Sequence, residues 1–368
     1  MMKKIATTIV ITLLASIATT AQIHGIYSMG EVAISELPLE LRNKKQLIAI
    51  DKWGDTIVTQ STYDGKVIFP ILKSKSNSFI IASSDKVADT AVCGAHYPER
   101  LDDIAWENNL AAYRAYGPAL QRSGERAFGY DVWTKREPRP IVKERYFNHL
   151  HKNISYHTDH GNGMDVYAVG ASLGCGTAAL YIDSTIVYPY CWSEYKILDN
   201  GPWRFTVELR YNPTEVNEQS VTEVRTITLD YGTYLNKTIV RFEELEENRK
   251  IAAGIVVHSS NPDGYYFDKQ GIITVEDSTQ SQGNGAIYVG LVKSEGFENC
   301  HFEPYKRDGE IAGHILGINT IAPNKEYIYY WGAGWSKNGI TKEMWHKYMK
   351  DEYNRTIKNK KIRIKTIQ

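Results

Sequence analysis

Hydrophobic and polar positions alternate along this chain in short runs rather than in long amphipathic stretches. Runs at 66–69, 78–81, 205–211 and 223–229 place Val, Ile, Phe, Thr and Tyr at every second position, and further β-rich runs follow at 254–258, 272–275, 286–291 and 327–331. Gly, Asn or Asp separates them. A period of two with β-branched and aromatic residues predicts antiparallel sheets. One helical pattern stands out near the C-terminus, where Thr341 is placed to cap a segment carrying Met344, Trp345, Tyr348 and Met349 ahead of a polar, basic tail from Asn354. The expected fold is mainly β, an antiparallel β-sandwich with a C-terminal helix docked on a sheet.

The first residues predict a compartment. Lys3 and Lys4 precede an apolar run over 5–18, and Ala18-Thr19-Thr20-Ala21 supplies small residues for cleavage, the pattern of a secretory signal peptide over 1–21. The run is shorter than the roughly 20 residues a membrane-spanning helix needs, so no membrane insertion is expected. No cysteine stands at the cut to take a lipid anchor. The expected location is periplasmic or secreted. Residues 22–92 carry their own strand pattern and end in the polar stretch Ser83-Ser84-Asp85-Lys86, which predicts a small N-terminal β region followed by a large β-sandwich catalytic domain over 93–368.

Charge narrows the partners. Forty-three basic and forty-three acidic residues balance to zero, which removes any global field favouring nucleic acid or an anionic membrane. Four cysteines, at 93, 175, 191 and 300, match no zinc spacing, and their pairing is left open by the sequence. Cys175, between Gly174 and Gly176, reads as a small buried thiol in a tight turn rather than a nucleophile.

Three segments combine aromatic rings with charge: 102–118, 131–135 and 156–170. Trp106 and Trp133 have faces that stack on sugar rings, and Glu107, Asn108, Tyr116, Lys135, Asp159 and Asp165 can bond hydroxyls, a mixture suited to a carbohydrate cleft. Each also has a plain reading as core packing. Arg114 sits between Tyr113 and Ala115 on an expected strand, so with Tyr113 inward its guanidinium faces the other side, able to fork onto a carboxylate or to form a surface ion pair. His157 and His160 stand in a glycine-broken loop with Asp159 and Asp165, where acid–base chemistry is favoured over metal binding. No metal or cofactor is expected. Among the other histidines, His258 at the end of a β run is a reserve candidate.

Trp106-Glu107-Asn108, Tyr116-Gly117-Pro118, Asp131-Val132-Trp133, the 156–165 loop and Gly174-Cys175-Gly176 together resemble the exported bacterial family labelled DUF4861, over nearly the whole chain after the leader. Asn109 departs from the family pattern, which places an acid after Trp-Glu-Asn, and carries no expected role. The resemblance implies a galactose-mutarotase-like supersandwich and a place in polysaccharide degradation. It further implies a carbon–oxygen lyase or dehydratase acting by β-elimination on a uronic-acid residue of an oligosaccharide, as in ulvan-type polymers. Such chemistry needs a group to neutralise the carboxylate, a base for the C5 proton and an acid for the departing oxygen. Arg114 with Asn108 is the expected neutraliser, His157 or His160 the base, and the other histidine or Tyr167 the acid. Glu107 would bond hydroxyls or serve as base. A sugar mutarotase or epimerase and a non-catalytic carbohydrate-binding protein are the rival expectations.

Overall fold

The computed structural model describes residues 20–358 apart from 25–26, 30–31, 45, 72–77, 217, 279–280 and 306–308. The expected leader falls, through residue 19, outside the described residues. Each alternating run named above forms a strand, and the strand pairings are antiparallel. Two sheets face each other across the main core. The longer has nine strands, among them Arg204–Arg210, Gln219–Asp230, Leu235–Glu243, Tyr327–Trp335, Ile287–Val292 and Ile272–Asp277 in hydrogen-bonded order. The shorter orders Thr185–Val187, Cys175–Ile182, Arg249–His258, Ile311–Ile321 and Asn299–Pro304. Alternation is plain in Leu235–Glu243: Asn236, Thr238, Val240 and Phe242 are buried, whereas Lys237, Ile239, Arg241 and Glu243 are partly exposed. Val207, Ile227, Val289 and Leu291 of the long sheet meet Ala178, Ile251, Ala253 and Ile255 of the short one, and full burial of each large aliphatic side chain contributes on the order of 2 kcal/mol.

A third, four-stranded sheet orders Asp131–Thr134, Ala111–Ala115, Asp103–Glu107 and Cys93–Tyr97. Ile104, Trp106, Tyr113 and Val132 on one face join the main core. The other face, carrying Ala105, Ala112 and Trp133, is closed by Val142, Tyr146 and Tyr156. Val142 and Tyr146 belong to a helix over Val142–Lys152, here α2, which follows the short α1 at Pro118–Arg122.

The C-terminal helix, α3 (Lys342–Lys358), forms as expected: the Thr341 hydroxyl accepts from the Met344 amide at 3.2 Å, and Trp345 and Met349 bury against Leu235, Tyr288 and Val292. It continues past Asn354, where the polar tail was expected, because Glu352 and Thr356 are buried and Arg355 pairs back to Glu352 at 2.5 Å. At the other end two small sheets share a separate core of Leu37, Leu41, Leu47, Phe69, Phe79 and Ile81. Gln60 fastens this unit to the long sheet, donating to the Arg204 carbonyl at 3.0 Å and accepting from the Trp203 and Arg204 amides at 2.8 and 2.7 Å. All four cysteines are free. No described helix is long and apolar enough to cross a membrane.

Candidate functional site

The second face of the four-stranded sheet gathers most of the polar residues singled out in the sequence, and it is sealed. Strand alternation puts Asp103, Glu107, Arg114, Asp131 and Trp133 on this side, and α2 together with the 156–165 loop covers them. Arg114, 5% exposed, reaches Asp131 at 2.5 Å, Asp165 at 3.2 Å and Asp103 at 3.5 Å, and donates to the Tyr116 hydroxyl at 3.2 Å. Its guanidinium carbon lies 4.7 Å from the Tyr116 ring centroid and 5.4 Å from that of Trp133. Three carboxylates already occupy the fork, so the expected substrate-carboxylate role for Arg114 is corrected: it neutralises the protein's own buried acids.

Glu107, Asn108 and Lys135 are likewise structural. Glu107 accepts from the Ile141 and Val142 amides at 2.9 and 2.8 Å, capping α2 with negative charge at the N-terminus where the helix dipole favours it. Lys135 donates to Glu107 at 2.6 Å and to the Asn108 and Arg139 carbonyls at 2.6 and 2.8 Å, filling its three donor positions. Asn108 donates to the Asp230 and Thr233 carbonyls and accepts from Leu110 and Ala111, which closes a turn. Trp106 and Trp133 are core side chains, 0% and 1% exposed, so neither presents a face to a sugar. The Trp106 indole donates to Asn236 at 2.7 Å, and that of Trp133 to Asp131 at 3.1 Å. Asn109, given no role, accepts from the Gly232 amide.

The 156–165 loop is dense in polar groups because it is pinned to this sheet. Asp159 accepts from the Gly161 and Gly163 amides at 2.9 and 3.0 Å and pairs with Arg136 at 2.8 Å. Gly163 has φ +99°, and a Cβ there would lie 2.2 Å from the Thr134 carbonyl oxygen, so only glycine fits. His157 donates through Nδ1 to the Asp165 carbonyl at 3.0 Å and lies 3.7 Å from its carboxylate. His160 bonds the Ser155 carbonyl at 3.0 Å. Both imidazoles are exposed on the surface and stand outside the cleft described next.

That cleft, about 550 Å³, opens where the two main sheets end together, and Val166, Ala168, His258, Ser259, Ser260, Asp277, Gly309 and Glu310 line it. His258 closes the strand Arg249–His258 of the short sheet, and Asp277 closes Ile272–Asp277 of the long one. Their side chains meet in a close Nδ1–carboxylate hydrogen bond, both nearly buried. His258 Nε2 is buried without a partner of strict hydrogen-bonding geometry among the described residues, and the Ala168 carbonyl lies against the ring. Burial alone pulls the imidazole pKa down, but the Asp277 carboxylate, helped by the Ala168 carbonyl and Glu310, more than offsets it and the pKa ends above the ordinary histidine value. Tyr167 stands with its ring centroid 5.9 Å from that of His258. Its hydroxyl is buried without a partner, and burial raises its pKa well above the ordinary phenol. A basic imidazole with a fixed tautomer and a protonated phenol therefore stand side by side. Of the residues expected to do chemistry, only Tyr167 lies beside His258, in the core behind the cleft wall rather than in its lining.

Matched against family profiles, residues 45–363 correspond to the family described as Domain of unknown function (DUF4861). The chain belongs to this family. A relative from Formosa agariphila, named Uncharacterized protein P7, is 28% identical over 276 residues, covering 72% of this chain and 68% of its own length.

Sequence reading held His258 only in reserve and missed Asp277. A signal was present, since Ile273, Val275 and Asp277 share one face of a strand, and a carboxylate stands at the third of these positions where alternation calls for an apolar residue. Among the described residues, no group of three or more His, Cys, Asp or Glu is arranged to hold a metal ion.

The buried acids make a stability prediction. Burial raises the Asp103 carboxyl to about 6 despite Arg114 beside it. The folded protein thus holds this proton more tightly than the unfolded chain, and the site's contribution to stability falls as pH rises from the ordinary carboxylate range through about 6. Two pH units correspond to about 3 kcal/mol. Asp103→Asn is expected to remove this fall, so urea unfolding at pH 4.5 and pH 7 should show a smaller loss of stability across that interval in the variant than in the wild type.

Proposed function

We propose that the protein is an exported carbohydrate-active lyase or dehydratase that performs β-elimination on a uronic-acid residue of an oligosaccharide, with His258 as base and Tyr167 as acid. The export reading rests on the 1–21 leader pattern, and the substrate class on the resemblance to proteins of polysaccharide degradation such as those acting on ulvan-type polymers. The observation carrying the chemistry is the close His258–Asp277 pair in the lining of the cleft, with the buried Tyr167 ring centroid 5.9 Å from that of His258.

In this reading neutral His258 takes the C5 proton through Nε2, and Asp277 stabilises the imidazolium that forms. The electron pair left at C5 becomes the C4–C5 double bond as the C4–oxygen bond breaks. Tyr167, held protonated by its surroundings, gives its proton to the departing oxygen, which leaves as water from a terminal uronate or as a saccharide hydroxyl within a chain. Solvent then returns the proton from His258 to Tyr167. Charge developing on the substrate carboxylate meets the Ser260 hydroxyl, which accepts from Ser278 and keeps its own proton to donate.

One observation favours a second reading: the described lining of the cleft has two acids, Asp277 and Glu310, and neither Lys nor Arg. A mutarotase needs an acid and a base across the ring oxygen and C1 but no cation for a carboxylate. Incubation with uronate oligosaccharides, followed by ultraviolet absorbance of the new double bond and by NMR of the anomeric protons, separates the readings. Growing absorbance supports elimination. Faster anomer exchange without it replaces elimination by mutarotation, and binding without either leaves a carbohydrate-binding protein.

A further inference from the structure

The cleft at His258 continues into a trough that neither the sequence motifs nor the acid–base chemistry accounts for. A smaller cavity of about 270 Å³ shares His258, Gly309 and Glu310 with the cleft and runs past Gly170 and Ile311 to Tyr305. Tyr305 in turn borders a third cavity of about 550 Å³, lined also by Arg126, Phe128, Tyr188, Tyr190 and His314. This last one spans the outside of the short sheet, from residues flanking its edge strand Thr185–Val187 to the end of its opposite edge strand Asn299–Pro304.

The lining has the chemistry of a saccharide surface. Phe128 stacks on Tyr188 with centroids 5.1 Å apart, and Tyr190 meets Phe128 edge-on at 5.7 Å. These contacts fix the rings while leaving Tyr190 58% exposed. Large aromatic faces held rigidly at the surface give up little entropy when a sugar ring stacks on them. His314 is a fixed floor, since its Nε2 accepts from the Leu173 amide at 3.2 Å and burial drives its pKa down to about 3, keeping it neutral. Arg126, at the same trough, is exposed and has no ion-pair partner among the described residues.

We infer that this trough binds the sugar units adjoining the one that reacts at His258, stacking one of them on Tyr190 and Tyr188 and pairing an anionic substituent with Arg126. The inference rests on the proposed chemistry for its choice of occupant. Its geometric ground is independent: three cavities joined through common residues, ending at ordered aromatic rings and an unpaired cation. The substrate is therefore an acidic oligosaccharide of several units rather than a free monosaccharide.

The test compares wild type, Tyr190→Ala, the double variant Tyr188→Ala/Tyr190→Ala, and Arg126→Gln on a disaccharide and a hexasaccharide containing uronate. Tyr190→Ala is expected to raise KM for the hexasaccharide about tenfold, the effect of losing one stacked ring, with kcat/KM for the disaccharide unchanged. Arg126→Gln should weaken the hexasaccharide but not its carboxyl-reduced counterpart. Equal losses on both lengths, or none on either, would overturn the inference. If the wild type eliminates nothing, calorimetric binding of the hexasaccharide decides the trough separately. Tighter binding by wild type than by the double variant sustains it though the chemistry fails, and equal or absent binding removes it.

Discussion

Arg114→Met is expected to lower the unfolding free energy at neutral pH by about 3–5 kcal/mol, the cost of removing one partner from a buried ionic cluster. The guanidinium is the cation that the structure sets against Asp103, Asp131 and Asp165, all buried to 2% exposure or less. Methionine fills much of the same space, so the loss is electrostatic rather than a cavity. Burial already raises the pKa of all three acids with the arginine present. Without it they must take up protons to remain inside, and this gives the prediction its sign. The folded variant binds more protons than the unfolded chain, so its stability falls as pH rises, and the deficit against wild type should shrink on acidification. Urea unfolding of both proteins at pH 5 and pH 7 checks this. A deficit at pH 7 below about 1 kcal/mol, the range of an exposed ion pair, would mean that the cluster is already protonated and that Arg114 does not hold it together.

The same residue shows where reading the sequence succeeds and where it stops. Alternation placed Tyr113 inward and Arg114 on the opposite face, and both placements hold. What alternation cannot say is whether the opposite face meets water. It meets α2, and α2 was invisible because its buried stripe is Val142, Arg145 and Tyr146, with a charged residue in the middle. The helix is capped by Glu107, 34 residues upstream, rather than by a local Ser, Thr, Asp or Asn. Strands made of local alternation were therefore legible, and so was α3, whose cap Thr341 immediately precedes it. Motifs rich in Trp, Asp and Glu were legible as unusual but misread as a cleft, because a saturated buried network and an open site draw on the same residue types. His258 and Asp277 lie 19 residues apart on strands of different sheets, and only the packing of one sheet on the other makes them a pair.

That pair carries the largest expected effect on activity. His258→Gln should reduce kcat/KM by about 10²–10⁴-fold, the usual contribution of a positioned general base, while the 156–165 loop variant His157→Gln/His160→Gln should retain wild-type turnover. Glutamine can still donate an N–H to Asp277, so the buried carboxylate is not stranded and the fold is expected to survive, which circular dichroism and the unfolding midpoint would verify. A pH profile separates a proton-transfer role from mere packing. The base must be neutral to act, so wild-type kcat/KM should rise with pH through an inflection above the ordinary histidine value, where Asp277 holds it. Asp277→Asn takes away the largest opposing charge and leaves only the Ala168 carbonyl and Glu310 against burial, which lowers an imidazole pKa. The inflection should then move to lower pH while the maximal rate falls, because the imidazolium formed in the reaction is no longer stabilised. An unmoved inflection in Asp277→Asn, or an unimpaired rate in His258→Gln, would place the base elsewhere, and loss of turnover in the loop double variant would return it to the surface histidines.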